Sequence, residues 1–268
     1  MTVIKRNIGI IGDGSTDRII FGKIAESILT EDTSKEFIDC NIIELPSQNI
    51  HDAVEKYLKL KDKKTWQNSQ NLVKEVATIL YDGFLDFIGE IGGISNCDIL
   101  ILTTDSEKVL ARPEDYFNYG IDVFNTLSAA TSMFYEAVLK QGYPQDNIPL
   151  VLPIATFPST EILIAAAKGL KTGDCYGKNP DDLKRKIYNK TTTLTPSELE
   201  EKALKFITVK GIDNILKNIP ESRHFIKTLS GYRVSCYINL LSELEAERQR
   251  GDRLAQKLRE LGIDPDVE

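Results

Sequence analysis

The sequence predicts an α/β protein, an open, mostly parallel sheet flanked by helices, with a helical C-terminal extension. Three observations lead there. Short β-branched runs alternate with longer helix-patterned stretches through the first 168 residues. The run 98–104, DILILTT, is apolar at successive positions, as a strand covered on both faces of a parallel sheet requires. Beyond residue 169 or so the strand signal stops and the pattern is helical. The expected organisation is therefore an α/β domain over 1–168, a helical extension packed on it over 169–235, and a charged helix over 236–268.

Each element has its own signal. Residues 8–12 are a short buried run ending at glycine, and Ser15 is placed to cap the helix after it, which carries Ile19, Ile20, Ile24 and Ile28 on one face to about residue 31. Residues 37–45 form a second strand candidate, stopped by Pro46. Helical patterns cover 50–61 and 68–90, and glycines then interrupt them before the strand at 98–104. A helix over 121–141, a strand over 148–155 and a helix over 159–168 complete the alternation. In the extension, Asn179 precedes Pro180 at a helix start, and Thr195, Pro196 and Glu198 have the spacing of a capping box. Further helices are expected near 213–217 and 222–229, followed by a leucine-bearing charged tail.

Composition narrows the function. No apolar run approaches the ~20 residues of a bilayer span, and the start leads straight into a strand, so a cytoplasmic protein with no membrane partner is expected. Cys40, Cys97, Cys175 and Cys236 are scattered without a C-x-x-C pair, which favours reduced thiols. Only two histidines occur, His51 and His224, which argues against histidine-rich zinc sites and most histidine-based triads. Catalysis would then rest on carboxylates, hydroxyls or lysines. The net charge of −7 excludes a simple nucleic-acid clamp and leaves room only for local basic patches.

The elbow 12–18, GDGSTDR, looks at first like a phosphate cradle. A P-loop requires lysine after its second glycine, and here Asp17 stands at the glycine position with Arg18 after it. A dinucleotide fingerprint fails at the same place, and a carboxylate there would repel a pyrophosphate. Other strand ends are acidic too. The strand 98–104 runs into Asp105 and Glu107, and the strand 148–155 leads to Glu161 at the next helix start. Ligands of open parallel sheets sit beyond the carboxyl ends of the strands. Asp13, Asp17, Asp105, Glu107 and Glu161 could thus share one crevice. Two carboxylates ~5 Å apart repel by roughly 3 kcal/mol at an effective dielectric near 20, so such a group calls for a proton or a divalent cation. Hard oxygen donors select Mg²⁺ or Mn²⁺. Each acid also has a plainer reading: Asp17 complements the dipole of its helix and Asp13 suits a turn.

In this order and placement the motifs resemble the topoisomerase–primase (TOPRIM) fold, above all its small stand-alone branch related to OLD-type and RloB-type nucleases. Asp13-Gly14-Ser15-Thr16-Asp17 matches that family's first acidic elbow, Asp105-Ser106-Glu107 its Asp-x-Asp motif, and Pro158-Ser159-Thr160-Glu161 its Pro-x-x-Glu segment. The resemblance covers about residues 5–168. It implies a Mg²⁺-dependent nuclease. Asp13 would be a general acid/base or metal-linked carboxylate, Asp105 and Glu107 would hold the ion, and Asp17 and Glu161 would support a second ion or orient water. Lys108 or Arg18 would offset charge on the scissile phosphate. Nucleic acid is the implied partner. Lys184, Arg185 and Lys186 form one basic cluster, with Lys190 nearby, and Arg223, His224, Lys227 and Arg233 another. The chain departs from the family at Asp13, where glutamate is usual, and at Glu107, where aspartate is usual; each swap moves a carboxylate by one methylene. A catalytically weak or inactive interaction scaffold is therefore the alternative reading, with a metal-dependent nucleotide-sugar transferase behind it. The charged tail suits a homodimer or a helical partner.

Overall fold

The computed structural model describes residues 4–12, 14–30, 38–46, 48–59, 66–90, 97–105, 121–157, 159–171, 180–188 and 194–260. Its strands are β1 (Ile4–Gly12), β2 (Ile38–Pro46), β3 (Ile99–Asp105) and β4 (Leu150–Thr156). They form one open sheet in the order β2-β1-β3-β4, with every pairing parallel. Helices α1 (Ser15–Leu29), α2 (Gln48–Leu58), α3 (Trp66–Glu90), α4 (Ile121–Lys140) and α5 (Glu161–Ala167) flank it. The α/β class and the parallel sheet agree with the sequence reading.

Strand side chains alternate between faces, and each face has its own helices. Ile11, Leu100, Leu102 and Val151 join one apolar cluster with Val54 of α2, Leu80 of α3 and Phe134 of α4. Ile8, Ile10, Ile101 and Ile154, none more than 2% exposed, belong to the opposite face. There α1 comes close at Gly22, where an added Cβ would lie 3.1 Å from Ile42 and 3.7 Å from Ile10. The strand order places the site. β2 lies on one side of β1 and β3 on the other, so the winding reverses between β1 and β3. Open parallel sheets bind ligands above the carboxyl ends of the strands at such a reversal.

β1 begins four residues earlier than its apolar run. In the sheet ladder residues 4–7 pair with the edge strand β2, and the side chains of Arg6 and Asn7 find partners nearby. Arg6 Nη1 donates to Asp98 Oδ1 (3.1 Å), the Asn7 backbone N–H to Asp98 Oδ2 (2.7 Å), and Asn41 Nδ2 to Asn7 Oδ1 (3.1 Å). These contacts tie the amino ends of β1, β2 and β3 together. Cys97 is buried beside Asp98, and burial first, then that carboxylate, pushes its thiol up to about 11. Cys40 is half-buried and pushed up to about 12 by burial, Glu26, Asp39 and Asp98. Both thiols stay protonated, hence unreactive, near neutral pH. Cys175 lies outside the described residues.

The extension supplies α6 (Pro180–Tyr188), α7 (Pro196–Phe206), α8 (Val209–Asn218) and α9 (Ser222–Glu260). α7 packs on α1, and α6 and α8 pack on α5. The capping box is formed. Glu198 Oε2 accepts from the Thr195 backbone N–H (3.0 Å), and Thr195 Oγ1 accepts from the Glu198 N–H (3.3 Å). Thr195→Ala is expected to lower unfolding free energy by about 1 kcal/mol, read as a shifted denaturant midpoint at constant slope. Asn179, the other expected cap, lies outside the described residues.

The chain forms two compact units, Met1–Ile226 and Lys227–Glu268. Residues 222–229 and the charged tail, expected as separate helices, are one helix of 39 residues. Gly231 does not break it, because a mid-helix glycine costs only about 1 kcal/mol against alanine. Within the second unit Val234, Ile238, Leu241 and Leu254 are exposed. Among the described residues no helix is long and apolar enough to cross a membrane.

Candidate functional site

Three strand-to-helix junctions deliver side chains to one pocket beyond the carboxyl ends of β1, β3 and β4. A cavity of about 140 Å³ is lined by Gly14, Thr16, Asp17, Asp105, Thr160, Glu161 and Lys184. Asp17 comes from the first turn of α1, Asp105 from the last position of β3, Glu161 from the first turn of α5, and Lys184 from α6.

The elbow after β1 is shaped by two glycines. Gly12 ends the strand so close to the returning helix that a Cβ there would lie 2.5 Å from Asp17 Oδ2 and 2.7 Å from Thr103 Cγ2. Gly14 caps α1 at φ 154°, ψ −163°, backbone that only glycine adopts freely. Ser15, expected as the cap, is instead the first helical residue, and among the described residues no side chain caps the helix. Asp17 is 5% exposed and is held across the site: Thr160 Oγ1 donates to its Oδ1 at 2.6 Å. Thr160 Oγ1 also lies 3.4 Å from Thr156 Oγ1, which donates to the Thr104 carbonyl at 3.5 Å. Hydroxyls thus link the β1 elbow to the ends of β3 and β4.

Glu161 is held on both oxygens. Ser159 Oγ donates to Oε2 at 2.6 Å, and Lys184 Nζ stands 3.7 Å from Oε1. One turn beyond Lys184, Tyr188 is buried, and burial first, then the Glu161 charge, raises its phenol so that it stays protonated. Its hydroxyl has no hydrogen-bond partner among the described residues. Asp105 has its Oδ1 3.7 Å from Nδ1 of His51, a residue 6% exposed in the first turn of α2.

Asp17, Asp105, Glu161 and Lys184 are therefore brought together. Asp13, Glu107, Lys108 and Lys190 lie outside the described residues. Arg18 is half-buried on α1 and does not line the pocket. Arg185 and Lys186 are exposed on α6 beside Lys184. Arg223 is exposed, with its Nε donating to the Leu216 carbonyl at 3.2 Å. Lys227 and Arg233 belong to the second unit. His51 went unnoticed as a site residue in the sequence. Its signal was positional, since it follows the end of β2 as Asp17 and Glu161 follow the ends of β1 and β4.

Carboxylate and hydroxyl oxygens are hard donors suited to Mg²⁺ or Mn²⁺. Among the described residues no three acidic, histidine or cysteine side chains converge as a cage for an ion. Mg²⁺ does not need one: it keeps several waters and is commonly held by one or two carboxylates plus substrate phosphates. The donors present fit that mode of binding. Compared with family models, curated proteins and solved structures, the chain gives no match.

Proposed function

We propose that this crevice cleaves nucleic-acid phosphodiesters with Mg²⁺ or Mn²⁺, in the manner of a TOPRIM-type nuclease. The observation carrying the proposal is that Asp17, Asp105 and Glu161, from three separate junctions, line one pocket with Lys184. Asp105 and Glu161 would hold the cation, whose chemistry is to offset charge on phosphoryl oxygens and acidify bound water. Asp17 orients that end of the pocket through Thr160. Lys184, only 22% exposed at its side chain, meets the phosphate charge, and exposed Arg185 and Lys186 extend the basic edge along a strand's backbone.

Pocket size favours this substrate class. At about 140 Å³ the cavity is well under the 300–1,000 Å³ of pockets that enclose a drug-sized ligand. It suits a phosphate group and an ion, with the rest of a polymer lying across the rim. A nucleotide-sugar would need far more enclosure than the described residues provide.

One observation favours an inactive scaffold: Asp17 and Glu161 already have protein partners. Melting separates the two readings. Mn²⁺ at 100-fold its dissociation constant is expected to stabilise the protein by about 2.7 kcal/mol. The same preparation should nick DNA or RNA in Mg²⁺ or Mn²⁺ and stop in chelator. A melting curve indifferent to Mn²⁺, together with no cleavage of either polymer, would leave only the scaffold.

A further inference from the structure

We propose that His51 is a positioning residue for Asp105, so that all four strand ends, including that of β2, contribute to the site. The inference rests on the metal-dependent reading above. His51 stands in the first turn of α2, three residues into the helix that follows β2, and is 6% exposed. Its neighbours Ile50, Ala53 and Val54 belong to the apolar cluster under α2, α3 and α4. An imidazole in such surroundings is desolvated, and burying a polar ring costs free energy unless it meets a polar group. A polar group beside it is the Asp105 carboxylate, with Nδ1 3.7 Å from Oδ1. That Oδ1 is itself buried, while the residue as a whole lines the pocket. One carboxylate oxygen is therefore turned toward the protein and the imidazole, at a residue that lines the pocket.

The spacing exceeds a hydrogen bond, so His51 acts by its ring position and dipole, steering the Asp105 rotamer. α2 touches both β1 and β3, so the ring is set by the same core that sets the strand end. Groups that orient a ligating carboxylate are typically worth 10–100-fold in metal affinity or activity.

The test measures Mn²⁺ binding by thermal shift alongside cleavage, in the full-length chain. His51→Leu fills the apolar space without a nitrogen. It is expected to need about 10–100-fold more Mn²⁺ for half-maximal stabilisation, with the KM for nucleic acid unchanged and kcat reduced. His51→Asn, whose amide nitrogen occupies the place of Nδ1, should restore Mn²⁺ binding, whereas His51→Gln, with nitrogen nearer the place of Nε2, should not. If the leucine variant fails to fold, the asparagine–glutamine comparison carries the test. Wild-type Mn²⁺ binding with all three variants unchanged, or with glutamine rescuing and asparagine not, overturns the positioning role alone. No Mn²⁺ stabilisation of the wild-type chain overturns the metal reading and this inference with it.

Discussion

Asp105→Asn is expected to reduce Mg²⁺-dependent cleavage at least about 100-fold, some 2.7 kcal/mol of lost transition-state stabilisation, while the protein remains folded. Asp105 is the last residue of β3 and pairs in register with Thr156 of β4, so its backbone is fixed by the sheet. Asparagine keeps the side-chain shape and removes only the charge. An amide oxygen remains a possible ligand, but it no longer balances a divalent cation, and binding should weaken accordingly. Stability should move the other way or hold. Among the described residues the pocket collects three acids against one lysine, and neutralising one of them relieves repulsion when no cation is bound. Cleavage rate, melting temperature without metal and the Mn²⁺-induced shift together give a pattern that simple unfolding cannot imitate. Undiminished cleavage by the asparagine variant would remove Asp105 from the site.

How much of this was legible in the sequence depends on how each residue is held. β3 announced itself because six of its seven residues are buried, and a strand covered on both faces can only be written as a continuous apolar run. Residues 4–7 of β1 were missed because their ladder is with the edge strand β2 and they are largely polar, with Arg6 and Asn7 reaching Asp98 and Asn41, so no hydrophobic pattern marks them. Asp17, Asp105 and Glu161 could be picked out because a strand end is a position visible in sequence. Their partners could not. Thr160 reaching Asp17 spans 143 residues, a relation that exists only once β1 and β4 lie in one sheet. His51 carried the usual ambiguity of a lone histidine beside apolar residues.

Lys184 shows a different limit. In sequence it is one of three adjacent basic residues and reads as part of a solvated face. On α6, Leu183, Ile187 and Tyr188 are buried, and the same helix packs on α5. That packing turns Lys184 toward Glu161 and leaves Arg185 and Lys186 outside. The rotation of a short helix is decided by tertiary contacts, and composition alone is silent about it. The continuity of α9 was not read either: helices were expected near 222–229 and over the charged tail, and they are one helix through Gly231.

Gly12→Val is expected to damage both the fold and the site. An added Cβ would fall 2.5 Å from Asp17 Oδ2, 2.7 Å from Thr103 Cγ2 and 2.9 Å from Asp17 Cβ, all closer than real Cβ contacts come. The carboxylate tip can swing away, but Asp17 Cβ is carried by the first turn of α1 and Thr103 by β3, so backbone must move as well. Forcing methyl groups into packed space costs typically 1–3 kcal/mol. The same displacement would pull Asp17 from Thr160, and misplacement of about 1 Å can lower rates roughly 100-fold. Gly83 is the control. It lies inside α3, and a Cβ there meets nothing within 4 Å. Gly83→Ala should therefore stabilise the protein by about 0.5–1 kcal/mol through helix propensity, with cleavage unaffected. Denaturation midpoints of the two variants should therefore move in opposite directions, and only Gly12→Val should lose cleavage. A Gly12→Val protein with wild-type stability and rate would mean that the β1 elbow is looser than its close contacts imply, and that Asp17 owes nothing to the missing side chain before it.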